Sequence, residues 1–147
     1  MSTSQHQYPT PDFLLNVHLE SAIHAGSGGI TLIVGGTIIT GRPVSTADFF
    51  RATLIPADAG DDFDVLRQQA DEIDRLNQEV EELRDRDPES LSEEEQAKAG
   101  IQKEFVNLLD AHYSLGDGKL APTNQPVAIR VRLSSVDAWL PGTMSND

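Results

Sequence analysis

Gly29-Ile-Thr-Leu-Ile-Val-Gly-Gly-Thr-Ile-Ile-Thr-Gly-Arg-Pro-Val44 is the stretch that decides how the chain folds. Two β-branched runs flank Gly35-Gly36, a dipeptide that readily supplies the positive φ angles of a tight hairpin turn. Ile30, Leu32 and Val34 fall on one face of the first strand, and residues 37–44 form the second. Gly41 predicts a bend or a close backbone approach there, and Pro43 puts that end of the strand at an edge or a bulge. The pattern predicts an antiparallel hairpin over 30–44.

Upstream of the hairpin, Thr10-Pro11-Asp12 has the chemistry of a helix start: a capping hydroxyl, a proline at the first position and an acid beside the macrodipole. Phe13, Leu14, Val17, Leu19, Ala22 and Ile23 predict a broad apolar face for a helix over 11–25, and Gly26-Ser27-Gly28-Gly29 ends it. Residues 1–9 carry no such pattern and are expected to be disordered. Downstream, Ser45-Thr46-Ala47-Asp48 resembles a capping box. The following 49–54 fit either a helical turn or more sheet, and Pro56 ends them.

Charge divides the rest. The chain of 147 residues has a net charge of −13, and residues 58–95 alone hold 16 acids against four arginines. Outside that window the chain is close to neutral, so an acidic segment over 58–103 is inserted in a balanced body. Leu66, Ile73 and Val80 recur at heptad spacing, with Gln69, Leu76 and Leu83 three residues after each, which predicts a helix over 61–86 with a narrow apolar seam. Asp87-Pro88 breaks it, and the Ser92-Glu-Glu-Glu95 capping box starts a second helix running to about Lys103. One partner helix or a rim of the barrel would cover the seam of Leu66, Ile73, Leu76, Val80 and Leu83, but Ala97 and Ile101 give the second helix only a thin apolar face, which favours a homodimer through the arm.

The closing part returns to strands. Phe105-Val-Asn-Leu-Leu-Asp-Ala-His-Tyr113 fits the end of a helix or a strand. Val127, Ile129, Val131 and Leu133 alternate with Ala128, Arg130, Arg132 and Ser134, an amphipathic strand with two cations facing water. Residues 136–140 add a short strand, with Trp139 as a core or rim anchor and a candidate contact residue, and Pro141-Gly142 end it. Residues 143–147 are expected to be a disordered tail.

No catalytic, cofactor or metal site assembles from these residues. Asp58, Asp61, Asp62 and Asp64 lack the order of a calcium loop. His18 and His24 are not spaced to share a helical face, and His6 and His112 stand apart. No nucleophile, base and orienter can be named. The absence of cysteine excludes disulfides and thiolate metal sites, and the opening residues lack the pattern of a secretory signal, so a cytoplasmic protein is expected. A field of this sign repels nucleic acid, and no apolar run is long enough to span a bilayer.

The 29–45 block followed by Asp48-Phe49-Phe50, together with Val131-Arg-Leu-Ser-Ser-Val-Asp-Ala-Trp-Leu-Pro-Gly142, resembles the gas-vesicle accessory protein U (GvpU) family. The resemblance makes 105–113 a strand. The spacing of helix, hairpin, insertion and closing strands also resembles a small Sm-like or SH3-like barrel. The expected class is therefore α+β: a β-barrel domain with an N-terminal helix over 10–57 and 104–142, interrupted by the acidic helical hairpin. The chain departs from the family pattern in its long charged insert and in a 127–132 strand without aromatic residues. The family implies a non-enzymatic accessory protein that binds gas-vesicle proteins, influences vesicle assembly or clustering, uses no cofactor and acts at the vesicle surface. A generic oligomerising module and an Sm-like RNA binder are the competing readings. The second lacks the expected basic stripe with aromatic stacking partners.

Overall fold

The computed structural model describes residues 13–100 and 103–145. Its first two strands, β1 (Ile30–Val34) and β2 (Thr37–Val44), pair antiparallel across the predicted Gly35-Gly36 turn. The two glycines have φ of 55° and 85°, the left-handed region that a β-branched side chain resists. Three later strands complete the sheet: β3 (Phe105–Ser114), β4 (Val127–Arg132) and β5 (Ala138–Pro141). The order is β4-β3-β2-β1-β5, with every neighbouring pair antiparallel. The 105–113 stretch is thus strand, as the family resemblance implied.

The sheet does not close into the expected barrel, because β4 and β5 are its two edges and share no ladder. Nor is it flat. Four strand spacings would set the edges about 19 Å apart. The link between them holds a 3₁₀ turn, Leu133–Ser135, and six residue steps of this mixed kind reach only about 16 Å. The sheet is therefore curled, with its edges joined by chain and not by hydrogen bonds.

Helix α1 (Phe13–Ala25) covers one face of the sheet. Leu15 and Leu19 pack with Ile30, Leu32, Val106, Leu108, Ala111, Val131 and Leu133 in one core. The helix buries part of the face expected of it: Leu19 and Ala22 point inward together with Leu15, while Phe13, Leu14 and Val17 are 74%, 65% and 47% exposed. A helix apolar on nearly every side offers two stripes, and the 15-19-22 stripe is the one that meets the sheet. The capping residues 10–12 and the 1–9 segment lie outside the described residues.

The opposite face of β1 is polar and still buried. Thr31 and Thr40 oppose each other in the ladder and are 2% and 1% exposed. Their hydroxyls lie 3.1 Å apart, and they form a continuous relay. The Met144 N–H donates to Thr40 Oγ1, and Thr31 Oγ1 donates to the Gly142 carbonyl, each at 2.9 Å. Residues 142–144, the last two of them expected in a disordered tail, form a strap over this end of the hairpin. The strap also explains Gly29, where any Cβ would collide with the Thr143 side chain. Gly41 answers the other sequence expectation: it lies against β3, with a virtual Cβ 3.1 Å from both Ala111 Cβ and the Leu109 carbonyl, and the register shifts beside it.

The second compact unit, Ser45–Lys103, is helical and so takes in α2 (Thr46–Leu54) besides the acidic segment. Residues 49–54 are helix, capped by Ser45, whose hydroxyl accepts from the Asp48 N–H. The long helix is α3 (Asp64–Arg84), entered through a 3₁₀ turn at Asp61–Phe63. The last, α4 (Glu93–Ala99), has both halves of the Ser92–Glu95 capping box but stops at Gly100, short of the expected Lys103. Ile101 lies outside the described residues.

Two predictions follow from this frame. Gly36→Val forces a branched side chain to positive φ and should destabilise the protein by about 1–3 kcal/mol in denaturant titrations. An unchanged midpoint would contradict the turn. The core cluster lies wholly within residues 1–44 and 104–147, and Val44 pairs directly with Asn107. Replacing 45–103 by a short Gly-Ser linker should therefore leave a unit that melts cooperatively, read by near-UV circular dichroism.

Candidate interaction surface

The predicted contact residues divide between the two units. In the helical unit, Leu66, Ile73 and Val80 are half-buried, Leu83 is buried and Leu76 is 41% exposed. Their cover comes from the same chain, since both α2 and α4 pack on α3. The seam is thus not a free stripe held out for a second copy. Ala97, expected to face it, is exposed, while Ala70 is fully buried and Leu91 nearly so. A straight helix drifts about 20° per heptad against a 3.5-residue repeat, so over three heptads the buried line moves off the heptad positions. Ala70 was missed because a small residue beside the heptad carries no pattern signal.

Ion pairs align these helices. Arg51 on α2 reaches Asp71 and Asp74 on α3, both at 2.8 Å, and its own Asp48 at 3.1 Å. Asp74 first, then Asp71, raises the Arg51 pKa above its usual value. Between α3 and α4, Lys98 Nζ lies 2.8 Å from Glu79 Oε1, and Arg84 Nε donates to the Ala99 carbonyl at 2.8 Å. Lys98 holds the Glu79 carboxyl below the usual carboxylate range, and the Ser92 N–H does the same for Glu95. These groups are solvated, so each pair orients more than it stabilises. The Asp58–Asp64 region is organised by Arg67, which donates to the Ala59 and Gly60 carbonyls at 2.8 and 3.0 Å and pairs with Asp64 at 2.7 Å.

In the sheet unit, Trp139 sits on β5 opposite Leu32 and is half-buried against the core. The His18 ring stacks on it with centroids 5.6 Å apart, and His18 Nε2 lies 3.0 Å from the Gly29 carbonyl. Trp139 thus clamps α1 to the edge strand, the rim-anchor role. His112 Nδ1 lies 3.0 Å from the Pro122 carbonyl, a loop contact.

Arg130 and Arg132 face outward as the alternation predicts, yet they do not stand alone. Both guanidinium groups lie over the Phe105 ring, at 4.0 and 5.5 Å from its centroid, within cation–π range. Arg130 Nε also donates to Asn107 Oδ1 at 3.0 Å. The register pairs Phe105 with Arg132 and Asn107 with Arg130, so β3 supplies the aromatic residue that β4 lacks. No feature of either segment alone reveals this pairing.

The fold is thus α+β, an open five-stranded antiparallel sheet with a cationic, aromatic stripe and an acidic helical unit. The chain belongs to the gas vesicle protein GvpU-like family, whose family model matches residues 12–144. No curated protein and no solved structure matches it. None of the described helices is long and apolar enough to cross a membrane.

The depressed carboxyls give a pH prediction. A carboxyl with a lowered folded-state pKa contributes stability above its unfolded value of about 4.3, and that contribution fades as pH falls through the folded value. Glu79→Gln removes the Lys98 partner. The melting temperature of the parent should exceed that of the variant at pH 6, and the gap should shrink as pH falls toward 3. A gap independent of pH would show that the pair does not support the fold.

Proposed function

We propose that this protein is a non-enzymatic gas-vesicle accessory factor that binds gas-vesicle proteins and influences vesicle assembly or clustering, acting in the cytoplasm at the vesicle surface. The observation that carries the reading is the family match across nearly the whole chain, acidic insert included. Binding in place of catalysis fits a sequence in which no nucleophile, base and orienter can be named. The outward face of α1 is the surface best suited to a shell protein: Phe13, Leu14 and Val17 expose large apolar area on a helix whose opposite side is fixed in the core. The homodimer expected from the heptad seam loses its main support, because α2 and α4 already pack on α3.

Flotation with purified vesicles tests the proposal. The intact protein should rise with the vesicles, and Phe13→Asp combined with Val17→Asp should leave it in the lower phase with an unchanged melting temperature. A parent that never floats would refute vesicle binding. A variant that floats as well as the parent would move the contact away from α1.

A further inference from the structure

We infer that the Arg130–Arg132 stripe of β4 is a docking surface for the acidic helical unit of a second copy of this chain. The starting point is a charge anomaly. The protein carries 24 acids against 11 lysines and arginines. Its other arginines are engaged: Arg42, Arg51, Arg67, Arg75 and Arg86 with carboxylates, and Arg84 with the Ala99 carbonyl. Arg130 and Arg132 have no carboxylate within 4.0 Å among the described residues, although both are exposed. Two neighbouring cations without an anion, in a protein this acidic, form a surface complementary to the rest of the molecule.

The geometry of the stripe suits a helix that carries carboxylates. Phe105 lies beneath both guanidinium groups and limits their motion, and Asn107 engages only the Nε of Arg130. Among the described residues the terminal nitrogens of Arg130 and the fork of Arg132 have no hydrogen-bond acceptor, which leaves them to donate to a bidentate carboxylate. Residues two apart on a strand are separated by about 6.7 Å. Carboxylates three or four apart on a helix are separated by about 5–6 Å at Cβ. Glu82 on α3 and Asp85 at its C-terminal cap have this spacing, are exposed, and have no cation within 4.0 Å among the described residues. Nucleic acid offers anions too, but the net charge of −13 opposes its approach, whereas the acidic unit is present on every copy at equal concentration.

The two surfaces differ, and each copy presents one stripe and one acidic unit, so the contact is made twice in a closed pair or repeats into rings and open chains. Exposed charge pairs are screened by salt, which makes the association weak and ionic-strength dependent. This contact does not rest on the vesicle reading, and a failure to bind vesicles leaves it standing.

Sedimentation velocity on the full chain, across a concentration series at about 0.05 M and about 0.5 M salt, tests the inference. The average mass should rise with concentration at low salt, and the high-salt association constant should be at least about tenfold weaker. Arg130→Glu with Arg132→Glu should stay monomeric alone while still melting cooperatively. Mixed with the parent, that variant should still be captured, because its acidic unit is intact. Adding Glu82→Lys and Asp85→Lys to the same chain should restore self-association through reversed charges. A parent that is monomeric at low salt, a charge-reversed variant that associates like the parent, or a stripe that captures a DNA oligonucleotide while no self-association occurs would each overturn it.

Discussion

Strand β1 is hydrogen-bonded on both sides, and the sheet unit depends on that. Ile30 pairs with Gly41 on one flank and with Pro141 on the other, and Leu32 with Ile39 and Trp139. The first partner is local, made by a tight turn. The second arrives from the far end of the sequence, after the helical unit and two more strands. Both faces of the strand are also covered, by α1 over Ile30 and Leu32 and by the strap over Thr31. A strand paired along both edges and covered on both faces at Ile30, Thr31 and Leu32 tolerates little change in its neighbours. That is why a strap of three residues matters: without it, the threonine relay would lose its terminal donor and acceptor.

What was legible in the sequence follows from how local each determinant is. The hairpin was readable because its turn chemistry and alternation lie within sixteen residues. The Ser92–Glu95 box was readable for the same reason. The barrel was not, because closure depends on a ladder between β4 and β5 that no short segment encodes, and a 3₁₀ turn sends the chain across without one. On α1 the inward Leu19 and Ala22 were legible, but Leu15 was not and Phe13, Leu14 and Val17 face outward, because an all-round apolar helix leaves the choice to tertiary packing. Of the candidate contact residues, Trp139 was placed in a sound role. The α3 seam was found, but its cover by α2 was invisible while 49–54 fitted either helix or strand.

The cationic stripe shows the same limit from the other side. Alternation alone put Arg130 and Arg132 outward. Their aromatic support depends on the register between β3 and β4, and that register shifts between Leu108 and Ala111. The shift falls at Asp110, which has a φ of 53° and pairs with Arg42 at 3.1 Å. Such a bulge changes which side chains oppose one another on either side of it. Sequence periodicity describes one strand at a time, and a two-strand site lies beyond its reach.

The unequal division of charge is best understood through what each unit buries. The sheet unit holds the nine-residue apolar core, and its formal charge is small. The unit Ser45–Lys103 carries 17 acids against seven bases, and its fully covered apolar side chains are few: Ala47, Ala70, Leu83 and Leu91. Burial of that size does not offset the ordering of some sixty residues against the mutual repulsion of the acids. Half-buried Leu66, Ile73 and Val80 add to that burial, while caps at Ser45 and Ser92 and cations that each contact more than one partner fix how the helices align. Arg51 takes three aspartates, Arg75 takes Glu72 and Glu79, and Arg67 gathers a loop. A cation shared among several anions relieves repulsion more effectively than isolated pairs do, which is how a short supply of positive charge aligns α2, α3 and α4. Arg130 and Arg132 of the sheet unit stand outside that network and are held instead by the Phe105 ring and by Asn107.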